Sequence, residues 1–103
     1  MKIENLRELA TKRKIKWTAH VAQRIQERDI SRIDVINCII SGEIIESYPD
    51  DYPNPSCLIF GFTANGKTVH VVVGADSDFL YIITAYYPNL HKFEADLKTR
   101  RKL

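Results

Sequence analysis

The sequence predicts an α+β domain in which N-terminal helices pack on one face of a four-stranded antiparallel sheet. Apolar residues recur at helical spacing as far as Ser41, and from Glu43 onwards they alternate with polar residues, as strands require. The 103 residues fit a single domain spanning 1–103. The contents of 45% hydrophobic and 27% charged residues are ordinary for a globular protein and argue against disorder.

Three short helices are predicted before residue 42, with one extended piece between the first two. Thr18 and Ser31 are good N-cap residues for the second and third helices, and Gly42 is in the C-cap position of the third. The predicted elements are a helix over Asn5–Lys14, an extended piece over Ile15–Trp17, and helices over Ala19–Arg28 and Arg32–Ser41.

Four strands follow, because the apolar period changes from 3.6 to 2. Asn65-Gly66 is a strong hairpin signal, and three prolines within residues 49–55 predict a loop. A final helical turn is predicted over His91–Leu97. The four predicted strands are Glu43–Tyr48, Cys57–Thr63, Thr68–Gly74 and Phe79–Tyr86.

Strand alternation separates the two faces of the predicted sheet. One face carries bulky apolar residues and is expected to pack against the helices. The opposite face is smaller and more polar, includes His70, Thr84 and Tyr86, and is the face on which a ligand could bind. The bulky apolar set, expected to face the helices, is Leu58, Phe60, Phe62, Val69, Val71, Val73, Tyr81 and Ile83.

The charges are unevenly distributed along the chain, although the formal net charge is only +2. Residues 1–32 carry +5, residues 33–97 carry −7 and the last six residues carry +4. Basic ends on an acidic middle predict a surface that faces a polyanion, provided that the two termini meet in space.

Several classes of protein are not expected from this sequence. No apolar run is long enough to cross a bilayer and the first residues lack the apolar core of a signal peptide, so we expect a soluble cytoplasmic protein without membrane contact. Cys38 and Cys57 lie in apolar runs and are interpreted as buried reduced thiols. Neither metal-site spacing nor a phosphate-loop or dinucleotide motif is present, so no metal and no cofactor are expected.

One basic group of residues lies on the second predicted helix. His20, Arg24 and Arg28 stand at i, i+4 and i+8, so their side chains project along one edge of the helix. Two guanidiniums and an imidazole in line suit phosphate binding together with proton transfer. The alternative is that the arginines pair with Glu27, Asp29 or Asp34 on a solvated face and that His20 helps the helix to start.

A second group of candidates lies on the strands. By alternation His70 shares a face with Thr84 and Tyr86. One histidine acting as base and another as acid is a working ribonuclease arrangement, and hydroxyl groups can donate hydrogen bonds to the phosphate. The alternative is that Thr84 and Tyr86 reflect strand propensity alone.

Residues 17–31 resemble the H-A-x-x-R-(M/I)-x-x-R-x-I-(S/T) signature of a bacterial family of domains of unknown function. Gly42–Glu46, Val69–Val73 and Ile83–Pro88 match the same family in the same order, so the resemblance extends over residues 17–95. That family is similar to the RelE, MqsR and BrnT-like toxins. The resemblance implies a RelE-like fold and a metal-independent endoribonuclease toxin of a type II toxin–antitoxin pair, with a zinc-finger antitoxin of the MqsA type as partner.

The resemblance also suggests site residues. The family's histidine and arginines fall on His20, Arg24 and Arg28, its strand threonine and tyrosine fall on Thr84 and Tyr86, and His70 fits its strand pattern. We assign RNA contacts to the basic residues Lys16, Arg100 and Arg101. The sequence lacks the dense lysine and arginine coverage of ribosome-dependent RelE toxins, which favours free RNA as the substrate. Two alternatives stay open: a non-catalytic RNA- or protein-binding module, and a dimeric regulatory protein of the same fold.

Overall fold

The computed structural model describes residues 1–102, which form three α-helices and five β-strands. No helix in this range is long and apolar enough to cross a lipid bilayer. In chain order the elements are α1 (Ile3–Thr11), β1 (Ile15–Lys16), α2 (Ala19–Glu27), α3 (Arg32–Ser41), β2 (Glu43–Tyr48), β3 (Ser56–Phe62), β4 (Thr68–Ala75) and β5 (Leu80–Tyr86).

The helix ends follow local chemistry. The Thr18 hydroxyl accepts a hydrogen bond from the backbone at the start of α2, and Ser31 forms a reciprocal capping box with Asp34 at the start of α3. The first helix differs from the predicted Asn5–Lys14, because it begins two residues earlier and ends at Thr11. Two residues after this end, Arg13 adopts a left-handed backbone conformation with φ of 60°, and a right-handed helix cannot continue through it.

The five strands form one mixed sheet in the order β1-β5-β4-β3-β2. Strands β2 to β5 are the predicted antiparallel meander, so the α+β class is confirmed. The prediction of four strands was wrong, because Ile15 and Lys16 join the sheet as β1, parallel to the first two residues of β5. These two residues lie within the predicted extended piece Ile15–Trp17. Local alternation cannot show that this piece joins the sheet, because its partners lie about 65 positions further along the chain.

The main core lies between the helices and one face of the sheet, here called the helix-side face. Val69, Val71 and Val73 point to this side, and Thr84 and Tyr86 point to the opposite side with His70, as predicted. The bulky residues of β3 and β5 that were predicted to face the helices do not, so that part of the prediction was wrong. In β3 the residues facing the helices are Cys57, Ile59 and Gly61, and in β5 they are Leu80, Ile82 and Ala85.

A bulge in β5 explains half of this error. Val72 pairs with Thr84 and Val73 pairs with Ile82, so Ile83 is left as an extra residue. The alternation therefore inverts at Ile83, and Thr84 is turned away from the helices.

The other half of the error has a different cause: the opposite face of the sheet, the outer face, is also covered. Residues 88–102 run across it, and the Phe93 side chain among them is only 1% exposed. The predicted helical turn over His91–Leu97 is absent from this segment, which instead forms turns and an isolated bridge between Phe93 and Arg100. Because both faces of the sheet are packed, β3 has apolar side chains on both faces, and alternation does not indicate which of them faces the helices.

We expect Gly61 to be required for the contact between α3 and β3. A Cβ atom at Gly61 would lie 2.8 Å from both the carbonyl oxygen and the Sγ atom of Cys38. Gly61→Ala should therefore lower the free energy of unfolding by about 1–3 kcal/mol in denaturant titrations. Gly74→Ala is the matched control, since its added Cβ would meet nothing closer than 3.5 Å. Equal losses in the two variants would contradict the close packing at Gly61.

Candidate phosphate-binding site

Helix α2 lies along the edge of β5 that β1 leaves uncovered. Arg28 fixes this position, because its Nη1 atom donates to the carbonyl oxygen of Ala85 at 2.8 Å and to the hydroxyl of Thr84 at 3.2 Å. The Tyr87 hydroxyl donates to the carbonyl oxygen of Asp29 at 2.9 Å. These bonds join the end of the helix to the end of the strand.

A cavity of about 200 Å³ opens between this helix and this strand. We call it the His20 cavity, and its lining includes His20, Arg24 and Arg28 from the helical segment and Ile83 and Thr84 from the strand. The structure therefore brings four of the six predicted catalytic residues to one place: the imidazole, both guanidiniums and the Thr84 hydroxyl.

The polar groups of this cavity are largely unused by the protein. The side chains of His20 and Arg24 are exposed and form no hydrogen bond or ion pair with any residue in 1–102. Arg28 uses only Nη1, which leaves Nη2 and Nε without a protein partner in the same range. The alternative in which the arginines pair with nearby carboxylates is not what the structure shows: Glu27 accepts from Gln23 instead.

A second cavity of about 370 Å³, here called the Tyr86 cavity, adjoins the first and shares Arg28 and Thr84 with it. Tyr86 borders this second cavity and not the His20 cavity. Its remaining lining comes from the end of β5 and the segment that follows, with Tyr87, Asn89, Lys92, Phe93 and Arg100.

His70 is not part of either cavity. Its side chain is fully buried under residues 88–102, where Nε2 lies 2.7 Å from the carbonyl oxygen of Leu97 and Nδ1 lies 3.3 Å from the Tyr86 hydroxyl. The Phe93 ring packs edge-on at 4.7 Å. A neutral ring that donates through Nε2 and accepts through Nδ1 satisfies both contacts. Burial lowers the pKa of His70, which favours this neutral form.

The three basic residues assigned to RNA contact are dispersed. Lys16 lies on β1 with its Nζ atom 4.4 Å from the centre of the Phe79 ring. Arg101 pairs with Glu94 at 3.0 Å. Arg100 borders the Tyr86 cavity, but its Nε and Nη2 atoms both donate to the Glu46 carboxylate at 3.0 Å.

This ion pair anchors the C-terminal segment to the outer face. The hydrogen bonds from Arg100 are the main influence that keeps the pKa of Glu46 below its usual value. A second pair, Lys98 with Glu43 at 2.9 Å, ties the same segment to β2. Arg100 is thus a structural cation as well as a cavity residue.

Sequence reasoning missed Asn89 and Lys92, which border the Tyr86 cavity from beyond the last strand. The only local signal is the Tyr-Tyr-Pro-Asn run that ends β5, which predicts a turn and not a site. Lys92 is one of two basic residues in the acidic segment 33–97. Its contribution depends on the turn at Asn89, which brings it back beside the sheet edge.

No site for a metal ion is found in the described part of the chain: residues 1–102 contain no group of three or more His, Cys, Asp or Glu side chains that could hold one. Cys38 and Cys57 are buried and unpaired, as predicted. Burial raises the pKa of Cys38 to about 12 and that of Cys57 to about 11. Both side chains are therefore thiols at neutral pH.

Fold and site together define a small α+β domain that presents a cationic cavity at the edge of its sheet. Residues 17–87 match the family described as a domain of unknown function, DUF4258, and the chain belongs to that family. The match includes the helix and strand residues of the His20 cavity, and it ends before Asn89 and Lys92. No curated protein and no solved structure matches the chain.

The buried His70 should make stability depend on pH. Its pKa in the folded chain lies below the ordinary value of 6.5, so the unfolded chain takes up the proton first as the pH falls. Its contribution to stability is complete above pH 6.5 and should decrease below it, until the folded-state pKa is reached. Urea titrations between pH 8 and pH 5 would measure this, at about 1.4 kcal/mol per unit of pKa difference.

Comparison with variants isolates the His70 contribution. His70→Gln keeps a donor for the Leu97 carbonyl but cannot titrate, so its stability should vary less over this range. Gln26→Ala removes an exposed side chain that does not titrate and should retain the wild-type pH dependence. The assignment is contradicted if His70→Gln and wild type lose stability in parallel as the pH falls.

Proposed function

We propose that the His20 cavity binds the phosphodiester backbone of RNA and cleaves it without a metal ion. The observation that supports this most directly is the set of unused polar groups around one small cavity: the His20 imidazole, the Arg24 guanidinium and two nitrogen atoms of Arg28. Groups with no structural partner, gathered at one place, are available for a ligand.

Their chemistry suits a phosphate. A planar guanidinium binds two phosphate oxygens at once, and Arg28 has Nη2 and Nε free for this. Because Thr84 accepts from Arg28, its own hydroxyl hydrogen can be donated to a third oxygen. A cavity of about 200 Å³ is smaller than the roughly 300–1,000 Å³ of ordinary ligand sites, which favours a phosphate over a whole nucleotide.

The proposed reaction is an internal transesterification of RNA. The 2′-hydroxyl loses its proton to the His20 imidazole, its oxygen forms a bond to phosphorus, and the bond from phosphorus to the 5′ oxygen breaks. Arg24 and Arg28 stabilise the extra negative charge on the phosphate oxygens during this step. The products are a 2′,3′-cyclic phosphate and a 5′-hydroxyl.

The proton for the leaving 5′ oxygen comes from water in this scheme. His70, the predicted second acid–base group, is buried and has partners on both ring nitrogens. Tyr86 is half-buried with a pKa raised by that burial, so its hydroxyl is protonated and holds His70. Both residues therefore act in the proposal by positioning the C-terminal segment, and His20 returns its proton to the hydroxide that forms.

The resemblance to RelE, MqsR and BrnT-like toxins supports a wider proposal. In it the chain is the toxin of a type II pair, acts in the cytoplasm on free RNA, and is restrained by an antitoxin of the MqsA zinc-finger type. Arg100 and Arg101 are both engaged by carboxylates, so in this structure neither adds an unpaired charge for ribosomal RNA. The proposal of free RNA as the substrate rests on the sequence, which lacks the dense lysine and arginine coverage of ribosome-dependent RelE toxins.

Substitutions in the His20 cavity should remove activity and leave the fold intact. His20→Ala and Arg24→Ala remove exposed side chains without protein partners in residues 1–102, so their unfolding midpoints should match wild type. Removal of a general base or a charge-stabilising group should slow cleavage of a single-stranded RNA by at least about 100-fold in buffer containing EDTA. Lys2→Ala is the charge-matched control, because Lys2 is exposed and lies on no cavity described above.

Other outcomes would separate the alternatives. RNA binding without cleavage, in the presence or absence of EDTA, identifies a non-catalytic module. Full cleavage by both variants refutes the assignment of the site. A dimer in sedimentation experiments that is weakened by a double substitution at Thr84 and Tyr86 identifies the regulatory protein instead.

The toxin proposal has its own test. Expression of the chain in a bacterium should arrest growth, and His20→Ala should relieve the arrest at equal protein level. Co-expression of the product of the adjacent reading frame should also relieve it, and the two proteins should co-purify. Normal growth with active, full-level protein would contradict the toxin assignment and leave the nuclease proposal standing.

A further inference from the structure

We infer that the Tyr86 cavity binds the base of the nucleotide next to the scissile phosphate, and that it prefers bases whose edges carry acceptors. This inference rests on the proposed function, because it takes the His20 cavity as the phosphate site. The two cavities share Arg28 and Thr84, so a chain held at the first cavity passes directly into the second.

Size and charge both fit a nucleotide. The Tyr86 cavity has about 370 Å³, within the roughly 300–1,000 Å³ of ligand sites. Lys92 borders it, is exposed and has no carboxylate partner in residues 1–102. Together with the free nitrogen atoms of Arg28 it gives the cavity an uncompensated positive charge, whereas the charge of Arg100 is offset by Glu46.

The hydrogen-bonding groups at this cavity are mostly donors. The Asn89 Oδ1 atom already accepts from the backbone nitrogen atoms of His91, at 3.0 Å, and Lys92, at 3.2 Å. Its Nδ2 atom has no partner among the described residues and remains free to donate. The Lys92 ammonium and the Arg28 guanidinium have only donors.

A lining of donors discriminates between bases. Guanine presents O6 and N7 as adjacent acceptors and uracil presents O4, whereas adenine and cytosine present an amino group at the corresponding position. At Asn89 Nδ2 or Lys92 Nζ an amino group would meet a second donor, and among the lining side chains only hydroxyl oxygens could accept from it. We therefore expect guanine or uracil at this position.

The same geometry selects unpaired RNA. The cavity lies between Arg28, at the end of α2, and the segment after β5, and it is bordered by Tyr86 and Tyr87. A base reaches such a recess only when it is out of the helical stack, which costs least in a single strand.

The decisive variant is Asn89→Asp. Aspartate keeps the Oδ1 acceptor that holds the turn, because the two side chains have the same shape, and it replaces the free donor by an acceptor. Binding is measured by fluorescence anisotropy with 2′-O-methyl RNA hexamers, which lack the attacking hydroxyl. The hexamers differ only at one central base.

For wild type we expect the guanine or uracil hexamer to bind roughly tenfold more tightly than the adenine hexamer. Asn89→Asp should abolish or reverse this preference, with an unchanged unfolding midpoint. Lys92→Ala should weaken the binding of every hexamer by a similar factor, since a lysine that contacts the phosphate backbone does not distinguish between bases.

The controls keep this inference separate from the proposed function. His20→Ala should retain the base preference while it loses cleavage of ordinary RNA. A base preference removed by Asn89→Asp in a protein that never cleaves RNA supports the subsite and refutes the catalytic proposal. The inference is overturned if Asn89→Asp retains the preference, if a duplex binds as tightly as the single strand, or if an oligoglutamate peptide binds here and RNA does not.

Discussion

The position of helix α2 along the edge of β5 determines the whole candidate site, and Arg28 sets that position. Its Nη1 atom reaches both the backbone and a side chain of the strand, and the bond from Tyr87 to the end of the helix reinforces the link. With this end fixed, helical geometry places Arg24 and His20 one and two turns away along the same edge. The half-buried Arg28 guanidinium thus holds the helix to the strand through Nη1 and keeps Nη2 and Nε free to donate to a ligand.

The candidate site lies at the edge of the sheet, where the layers that cover its two faces both end. Helices cover one face of the sheet and residues 88–102 cover the opposite face, held by the Arg100–Glu46 and Lys98–Glu43 pairs. Between these layers the end of β5 stays partly open, and both cavities lie there. Buried polar groups such as His70 lie beneath these layers and have partners within the protein, whereas the unpartnered polar groups lie in the gap between the layers. That division distinguishes residues that hold the fold from residues available to a ligand.

Local signals in the sequence were sufficient for most elements and for part of the site. The caps at Thr18 and Ser31 mark the starts of two helices, and i, i+4, i+8 spacing brings His20, Arg24 and Arg28 together without any tertiary information. Alternation failed where tertiary structure decides. The extra residue Ile83 inverts the pattern in β5, and nothing in the strand sequence announces a bulge. His70 was predicted as a site residue because the segment that buries it is remote in sequence: its Leu97 contact lies 27 residues later in the chain.

The cover of the outer face has a consequence for partial unfolding. The sheet is complete at Tyr86, but the side chains that shield its outer face come from residues 88–102. When that segment detaches, β3 and β4 can stay paired while their outer side, with Leu58 and His70, is open to solvent. Exposed apolar sheet in such an intermediate is prone to association with other chains. Phe93 and the two ion pairs that hold the segment in place therefore also oppose aggregation.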